Sequence, residues 1–446
     1  MDTPRRDGGA AVDGQGRTLV SRSRRISDVS FSAFLADREA PRVRWTAPDG
    51  TEIAAAGATA TVTADGQDRF ETVRERADRL LADVDVDGPA ATRPRLFGGF
   101  AFHADHEPAP PWEGFPAARF VLPRVQLTRT ADETWLTVTS FEGDAPAALE
   151  EERDAVADLP SMRAAGDPPG VDATRRTTPR EEWTRMIEHA TERIAAGGLR
   201  KVTLATALSV ELARTLPIPE AVERLRRTYP DCYRFLIQPT DGPGFFGAPP
   251  ERLVRLDGQQ VGTEALAGSV ARGETPEEDA ALADTLRDGE KLREEHEIVV
   301  DAIREWLAPF GEVTVGDRAV RKLSNIQHLR TPISATLSGD AHVLSLVEAL
   351  HPTPAVGGLP RDTALALIRE TEAFERGWYA SPVGWFDAAG DGEFTVAIRS
   401  AVADGRRATL FAGNGIVADS DPDEEWAEVQ PKFRPVLDEL EADADE

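Results

Sequence analysis

The sequence predicts an α/β protein of the α+β type, and three observations carry that expectation. Residues 28–150 mix the period of 3.6 that marks amphipathic helices with the period of 2 that marks half-buried strands. Near the other end, three strand patterns (380–386, 393–403 and 408–417) follow a single helical pattern at 361–374. The chain is 446 residues long, enough for one large domain or two ordinary ones and for a sizeable core.

Residues 1–27 are rich in Arg, Gly and Asp and have no apolar run, so they predict a disordered leader rather than a secretory signal. Val73, Ala77, Leu80 and Leu81 give 70–84 a helical face, and 97–102 (Phe-Gly-Gly-Phe-Ala-Phe) reads as a strand whose glycines admit a close neighbour. Segments 120–128 and 134–139 read as a pair of antiparallel strands. His103 and His106 flank Asp105 in a loop without further ligands, a poor metal site. Residues 142–180 are Asp-, Glu-, Ala-, Pro- and Gly-rich and predict a solvated connector.

From there the patterns strengthen. A helix at 179–196 ends at Gly197-Gly198, and a strand follows at 200–212. On that strand Val202, Leu204, Leu208, Val210 and Leu212 share one face, while Lys201, Thr203, Ala205 and Ala207 share the other. A small, polar face with one cation fits the floor of a pocket. Next come a helix (218–228), a strand (232–238) and the stretch 247–273. That stretch sets Glu251 after Pro249-Pro250 and, beyond a hairpin, forms a small-residue turn, Ala267-Gly268-Ser269, where backbone can approach a ligand.

Residues 277–307 predict one or two helices. At 100° per residue Leu292, Ile298, Val299, Ala302, Ile303 and Trp306 cover one arc, with Glu295 near its middle and Glu290 and Glu297 opposite. A carboxylate on a buried face must find a cation or a metal. His328 and Thr331 fall on a strand, and 350–360 is a Pro- and Gly-rich loop. Arg399 stands out as the one cation on a small, polar strand face. The 408–417 strand carries Gly413-Asn414-Gly415. Asp421-Pro422 predicts a capped helix start, and beyond it Glu425, Glu428 and Lys432 share a side.

Composition excludes several classes. No apolar run reaches the roughly 20 residues of a membrane span. The net charge of −27 is spread along the chain and repels nucleic acid and anionic membranes. Spread acidity of this kind predicts adaptation to high salt. One cysteine, Cys232, allows no internal disulfide and fits a cytoplasmic location. Of 51 basic residues only Lys201, Lys291, Lys322 and Lys432 are lysines, and a lysine, unlike an arginine, can accept a proton.

Taken in order, these motifs resemble the chorismate-utilising enzymes, which include isochorismate, salicylate, anthranilate and aminodeoxychorismate synthases. The resemblance rests on Lys-Val-Thr-Leu-Ala (201–205), Gly-Ala-Pro-Pro-Glu (247–251), Leu-Ala-Gly-Ser (266–269), Glu-Glu-His-Glu-Ile-Val (294–299) and His-Leu-Arg-Thr (328–331). Further on it rests on Leu-His-Pro-Thr-Pro-Ala-Val-Gly-Gly (350–358), Ala-Ile-Arg (397–399), Gly-Asn-Gly-Ile-Val (413–417) and Glu-Trp-Ala-Glu (425–428). It implies two packed, mainly antiparallel sheets ringed by helices, with 28–165 as the variable first part and 175–441 as the chorismate-binding catalytic region.

The resemblance further implies Lys201 as general base and Glu251 as general acid, and Mg2+ held by Glu295 and Glu428 with Glu425 close by. Gly268, Ser269, His328, Thr331, Arg399, Gly415 and Lys432 would bind substrate. A lysine at position 201 marks the water-using members, which implies an isochorismate synthase, with menaquinone biosynthesis favoured by Thr-Glu-Ala-Leu-Ala-Gly-Ser (263–269). The alternatives are a salicylate synthase, then an anthranilate or aminodeoxychorismate synthase component, then a non-catalytic relative. A monomer without a glutaminase partner is expected. The sequence departs from the family pattern at Thr206, where relatives have Arg or Gln, and at Pro431.

Overall fold

Strand pairing sets the frame, and helices cover it. A computed structural model describes residues 18–141, 143–324 and 326–442. The first part runs β1 (Leu19–Ile26), α1 (Phe31–Ala36), β2 (Arg42–Thr46), β3 (Glu52–Ala64), α2 (Arg69–Leu81) and β4 (Val84–Asp87). It continues with β5 (Arg95–Phe100), the long β6 (Ala118–Arg129) and β7 (Thr134–Phe141), and α3 (Ala145–Ala157) and β8 (Val171–Arg176) lead out of it. The next stretch holds α4 (Arg180–Ala195), β9 (Lys201–Leu212), α5 (Ile218–Thr228), β10 (Arg234–Gln238), β11 (Gly244–Gly247), β12 (Arg252–Asp257) and β13 (Gln260–Ala271). Helices α6 (Pro276–Asp288) and α7 (Glu290–Leu307) precede β14 (Gly311–Val315), β15 (Ala319–Lys322) and β16 (Ile326–Leu337). The chain closes with α8 (Val343–Leu350), β17 (Gly358–Leu359), α9 (Arg361–Thr371), β18 (Pro382–Asp387), β19 (Gly392–Val396), β20 (Ser400–Asp404), β21 (Arg407–Ile416), α10 (Pro422–Val429) and α11 (Arg434–Leu437).

Among the described residues every strand pair is antiparallel except β1 with β4. Two arms meet at β6, whose first residues pair with β5 while Val125–Arg129 pairs with β7. One arm passes from β6 through β3, β2, β10, β11, β20 and β21 to β9. The other passes through β5, β18, β19, β12 and β13 to β16. The two sheets implied by the family resemblance are therefore arms of one hydrogen-bonded network. Val202 and Leu204 on one arm and Val254 and Phe394 on the other belong to one buried apolar core. No described helix is long and apolar enough to cross a membrane.

Four expectations need correction. The leader does not extend to residue 27: β1 is a full strand, paired along its length with β7, and only residues 1–17 of that expectation lie outside the described chain. The connector is not all solvated. Ala145, Ala148, Leu149 and Val156 keep helical spacing and bury one face of α3 against β1 and β7, in a second core with Phe34 and Val138. The third correction concerns Ala267-Gly268-Ser269, which is a bulge within β13 rather than a turn. Its register against β16 shifts there, with Gly268 at φ +73. Finally, the strand expected at 393–403 is broken into β19 and β20 because Arg399 adopts φ +53.

The correction at α3 is testable. Leu149→Ala removes a side chain that is only 4% exposed and is expected to cost about 2–4 kcal/mol in urea unfolding, whereas a solvated connector would show no change.

Candidate active site

The cavity lies between the two arms, and each wall has a separate sequence origin. Strand β9 presents Lys201, Thr203 and Ala205, its small face, as the alternation predicts. Opposite stand Pro250 and Glu251, at the link from β11 to β12, and the bulged segment of β13. Helix α7 supplies Glu295, β16 His328, the β19–β20 bend Arg399, β21 Gly413 and Gly415, helix α10 Glu428, and the turn after α10 Lys432.

Lys201 is 1% exposed, and its ammonium donates to Glu295 Oε1 at 2.7 Å. Burying a charge this deeply requires such a partner. Gly415 makes the pairing possible. It lies opposite Thr203 in the β9–β21 ladder, and a Cβ there would sit 2.6 Å from Lys201 Cε and 2.8 Å from Glu295 Oε1. The second lysine of the site is held likewise: Lys432 Nζ donates to Glu428 Oε1 at 2.8 Å, to Asn414 Oδ1 at 2.6 Å and to Gly413 O at 3.1 Å. Ser269 Oγ donates to the same Glu428 oxygen at 3.2 Å, so bulge and C-terminal turn are tied across the mouth.

Glu251 is buried, and its carboxyl is pushed up to about 8, first by burial and then by the Glu264 carboxylate, against the opposing pull of Lys201 and Arg399. At neutral pH it is therefore a proton donor. Its carbonyl accepts from Thr395 Oγ1 at 2.6 Å and Val396 N at 3.1 Å, which holds the acid on β19. Burial pushes His328 well below the ordinary imidazole range, so its ring is neutral, and its buried Nε2 lacks a protein partner at the cavity wall. Arg399 and Ala380 are the two non-glycine residues with positive φ among the described residues, and both line the cavity. At Arg399 that left-handed turn leads into β20 and delivers the guanidinium to the site.

Two expected site residues are not brought to the cavity. Thr331 lies three positions beyond His328 on a regular strand, so it faces the other way; its hydroxyl bonds His296 Nε2 at 2.8 Å. Glu425 meets the reverse face of β21, where Asn414 Nδ2 donates to its carboxylate at 2.9 Å and its carbonyl at 2.7 Å. Burial and the neighbouring Glu428 push it up to about 7. Among the described residues no three acidic, His or Cys side chains form a cation cage. Glu295 and Glu428 remain, both in the wall and both charge-balanced by a lysine. That donor set suits Mg2+, which binds through one or two carboxylates and completes its shell with water and substrate oxygens.

Sequence reasoning missed three residues. Arg376, 1% exposed, donates to Val356 O at 2.9 Å and Thr203 O at 2.7 Å and pairs with Glu372, fastening β9 to the 351–357 loop. Tyr379 lines the same wall. His296 spans Ala267 O at 3.2 Å and Thr331 Oγ1, supporting the bulge from behind. Only His296 left a signal, as a histidine next to the buried-face Glu295.

Antiparallel arms enclosing a lysine, a protonated glutamic acid and paired carboxylates define an enzyme site for a small anionic substrate. The chain belongs to the chorismate-binding enzyme family, whose profile matches residues 10–441. It is 36% identical over 421 residues to the salicylate biosynthesis isochorismate synthase of Pseudomonas aeruginosa, covering 91% of this chain and 86% of that one. It is also 38% identical over 353 residues to the isochorismate synthase MenF of Bacillus subtilis, covering 78% and 75%. The fold matches the menaquinone-specific isochorismate synthase MenF of Escherichia coli with a TM-score of 0.81 at 28% identity, over 96% of this chain and 95% of that one.

Gly415→Ala tests the geometry. It is expected to separate Lys201 from Glu295 and to cost about 100-fold or more in turnover while the far-ultraviolet spectrum stays unchanged; near-normal activity would mean that the close approach is dispensable.

Proposed function

We propose that this chain is a Mg2+-dependent isochorismate synthase that moves the hydroxyl of chorismate from C4 to C2. The observation that carries the reading is the placement of a buried lysine and a protonated glutamic acid on opposite walls of one cavity. Lys201, as the free amine, takes a proton from the water that attacks C2, which requires Glu295 to exchange it for another cation. Glu251 gives its proton to the C4 hydroxyl as it leaves as water, so the reaction is a net isomerisation. Arg399, Lys432 and the β13 bulge hold the substrate carboxylates. When bound at Glu295 and Glu428, Mg2+ would neutralise the ring carboxylate and fix its pose. The reading includes menaquinone supply, a cytoplasmic monomer and an acidic surface suited to high salt. The likeness to MenF proteins supports the first of these.

The direct test is to incubate the protein with chorismate and Mg2+, with and without ammonium, and to separate the products. Isochorismate alone is the expected result; salicylate with pyruvate, or an amine that needs ammonium, would replace this reading. Lys201→Ala should bind chorismate yet lose at least about 100-fold in turnover.

Protonation of Glu251 has two consequences of opposite value. Turnover needs the acid form, so kcat should fall as pH rises through about 8. Folding is disfavoured over a related range. The ordinary value is 4.5 and the folded value about 8, so stability present below 4.5 is lost progressively up to 8. That loss is about 3 kcal/mol at pH 7. Glu251→Gln should therefore melt higher than the parent at pH 7 while turning over at least about 100-fold more slowly; a variant both active and no more stable would contradict the assignment.

A further inference from the structure

Nothing in the proposed reaction calls on Glu264, yet it accepts three hydrogen bonds from residues around Glu251. It lies on β13 two positions before Leu266, on the same strand face, and its side chain is 5% exposed. Its Oε1 accepts from the backbone N–H of Arg252 at 3.3 Å and from Arg321 Nη1 at 3.2 Å. The same Arg321 nitrogen donates to Pro250 O at 3.0 Å, and Arg321 Nη2 reaches Asp231 O at 2.8 Å. On the other side Arg330 Nε donates to Glu264 Oε2. Residues 250 and 252 are thus both fastened to one carboxylate, directly or through a single guanidinium.

We propose that Glu264 is a positioning residue for Glu251: it clamps the backbone on both sides of the acid and sets a negative charge beside it. The charges facing Glu251 come from separate elements. Lys201 on β9 and Arg399 at the β19–β20 bend favour the carboxylate, while Glu264 on β13 opposes it. Arg321 on β15 and Arg330 on β16 stand behind Glu264 and partly neutralise it. Glu295, Glu428 and Lys432 line the same cavity, and the His328 ring is neutral. After burial itself, Glu264 is the largest influence on Glu251. A general acid held protonated by a neighbouring carboxylate is an economical arrangement, because the same contact also fixes its direction.

The inference rests on Glu251 acting as the acid, but its test need not. The carboxylic-acid infrared band of Glu251, identified by its loss in Glu251→Gln, is followed against pH in the full-length protein and in two variants. Glu264→Gln keeps an acceptor for Arg252 N but removes the charge, and the band should titrate at lower pH. Arg330→Gln unmasks Glu264 at a side chain that is 38% exposed and readily replaced, and the band should titrate at higher pH. The high-pH limb of kcat should move with the band in both variants, with KM for chorismate within about twofold of the parent. A midpoint that stays put, or moves in the opposite sense, overturns the proposal. If Glu264→Gln does not fold, Arg330→Gln decides alone. If the band moves as stated but Glu251→Gln remains active, the positioning role stands and the assigned acid falls.

Discussion

The ion pair between Lys201 and Glu295 is the constraint around which the catalytic half is arranged. An ammonium with almost no access to water is tolerable only with a carboxylate in contact, and that carboxylate has to arrive from a helix packed behind a different strand. Helix α7 must therefore lie over β13 with Glu295 turned inward. Strand β21 must in turn run beside β9 with no side chain at position 415. The β9–β21 ladder, the small face of β9 and the burial of α7 all follow from housing one buried cation.

The two halves of the proposed chemistry sit on different arms. The base belongs to the arm that ends in β9, and the acid to the arm that runs through β12 and β19. Each group finds the electrostatic environment it needs where the two arms face each other. Around Lys201 there is a carboxylate partner; around Glu251 there are burial and a second carboxylate, so that a glutamic acid keeps its proton at a pH where most have lost it. Strain gathers in the same place: the two left-handed non-glycine residues, Ala380 and Arg399, both border the cavity.

Much of this was legible in the sequence wherever a local period carried it. Alternation along β9 separated Lys201, Thr203 and Ala205 from the core residues, and the helical arc of α7 singled out Glu295 from its acidic neighbours. The same rule turns Thr331 away from His328, since residues three apart on a strand face opposite ways, and the structure has it bonded to His296. Features that depend on distant partners were not legible. The bulge at Gly268 needs the register with β16, the bend at Arg399 needs the end of β19, and Glu425 is turned aside by Asn414 from a neighbouring strand. Arg376 carries no periodic signal, because its partners are backbone carbonyls of two other segments. Helix α3 was hidden by an acidic, alanine-rich composition that masks a regular apolar spacing.

The junction strand β6 has a consequence for how the molecule comes together. Because the arms meet there, well before β9 is made, the scaffold that both will extend can form from the early part of the chain. The cavity cannot. Its floor waits for β21, and its mouth for Glu428, which reaches Ser269 across 159 residues of chain. Contacts of such high sequence separation are entropically the slowest to form. The site is therefore complete only when segments far apart in sequence have met, and turnover reports on completed tertiary structure more faithfully than secondary structure does.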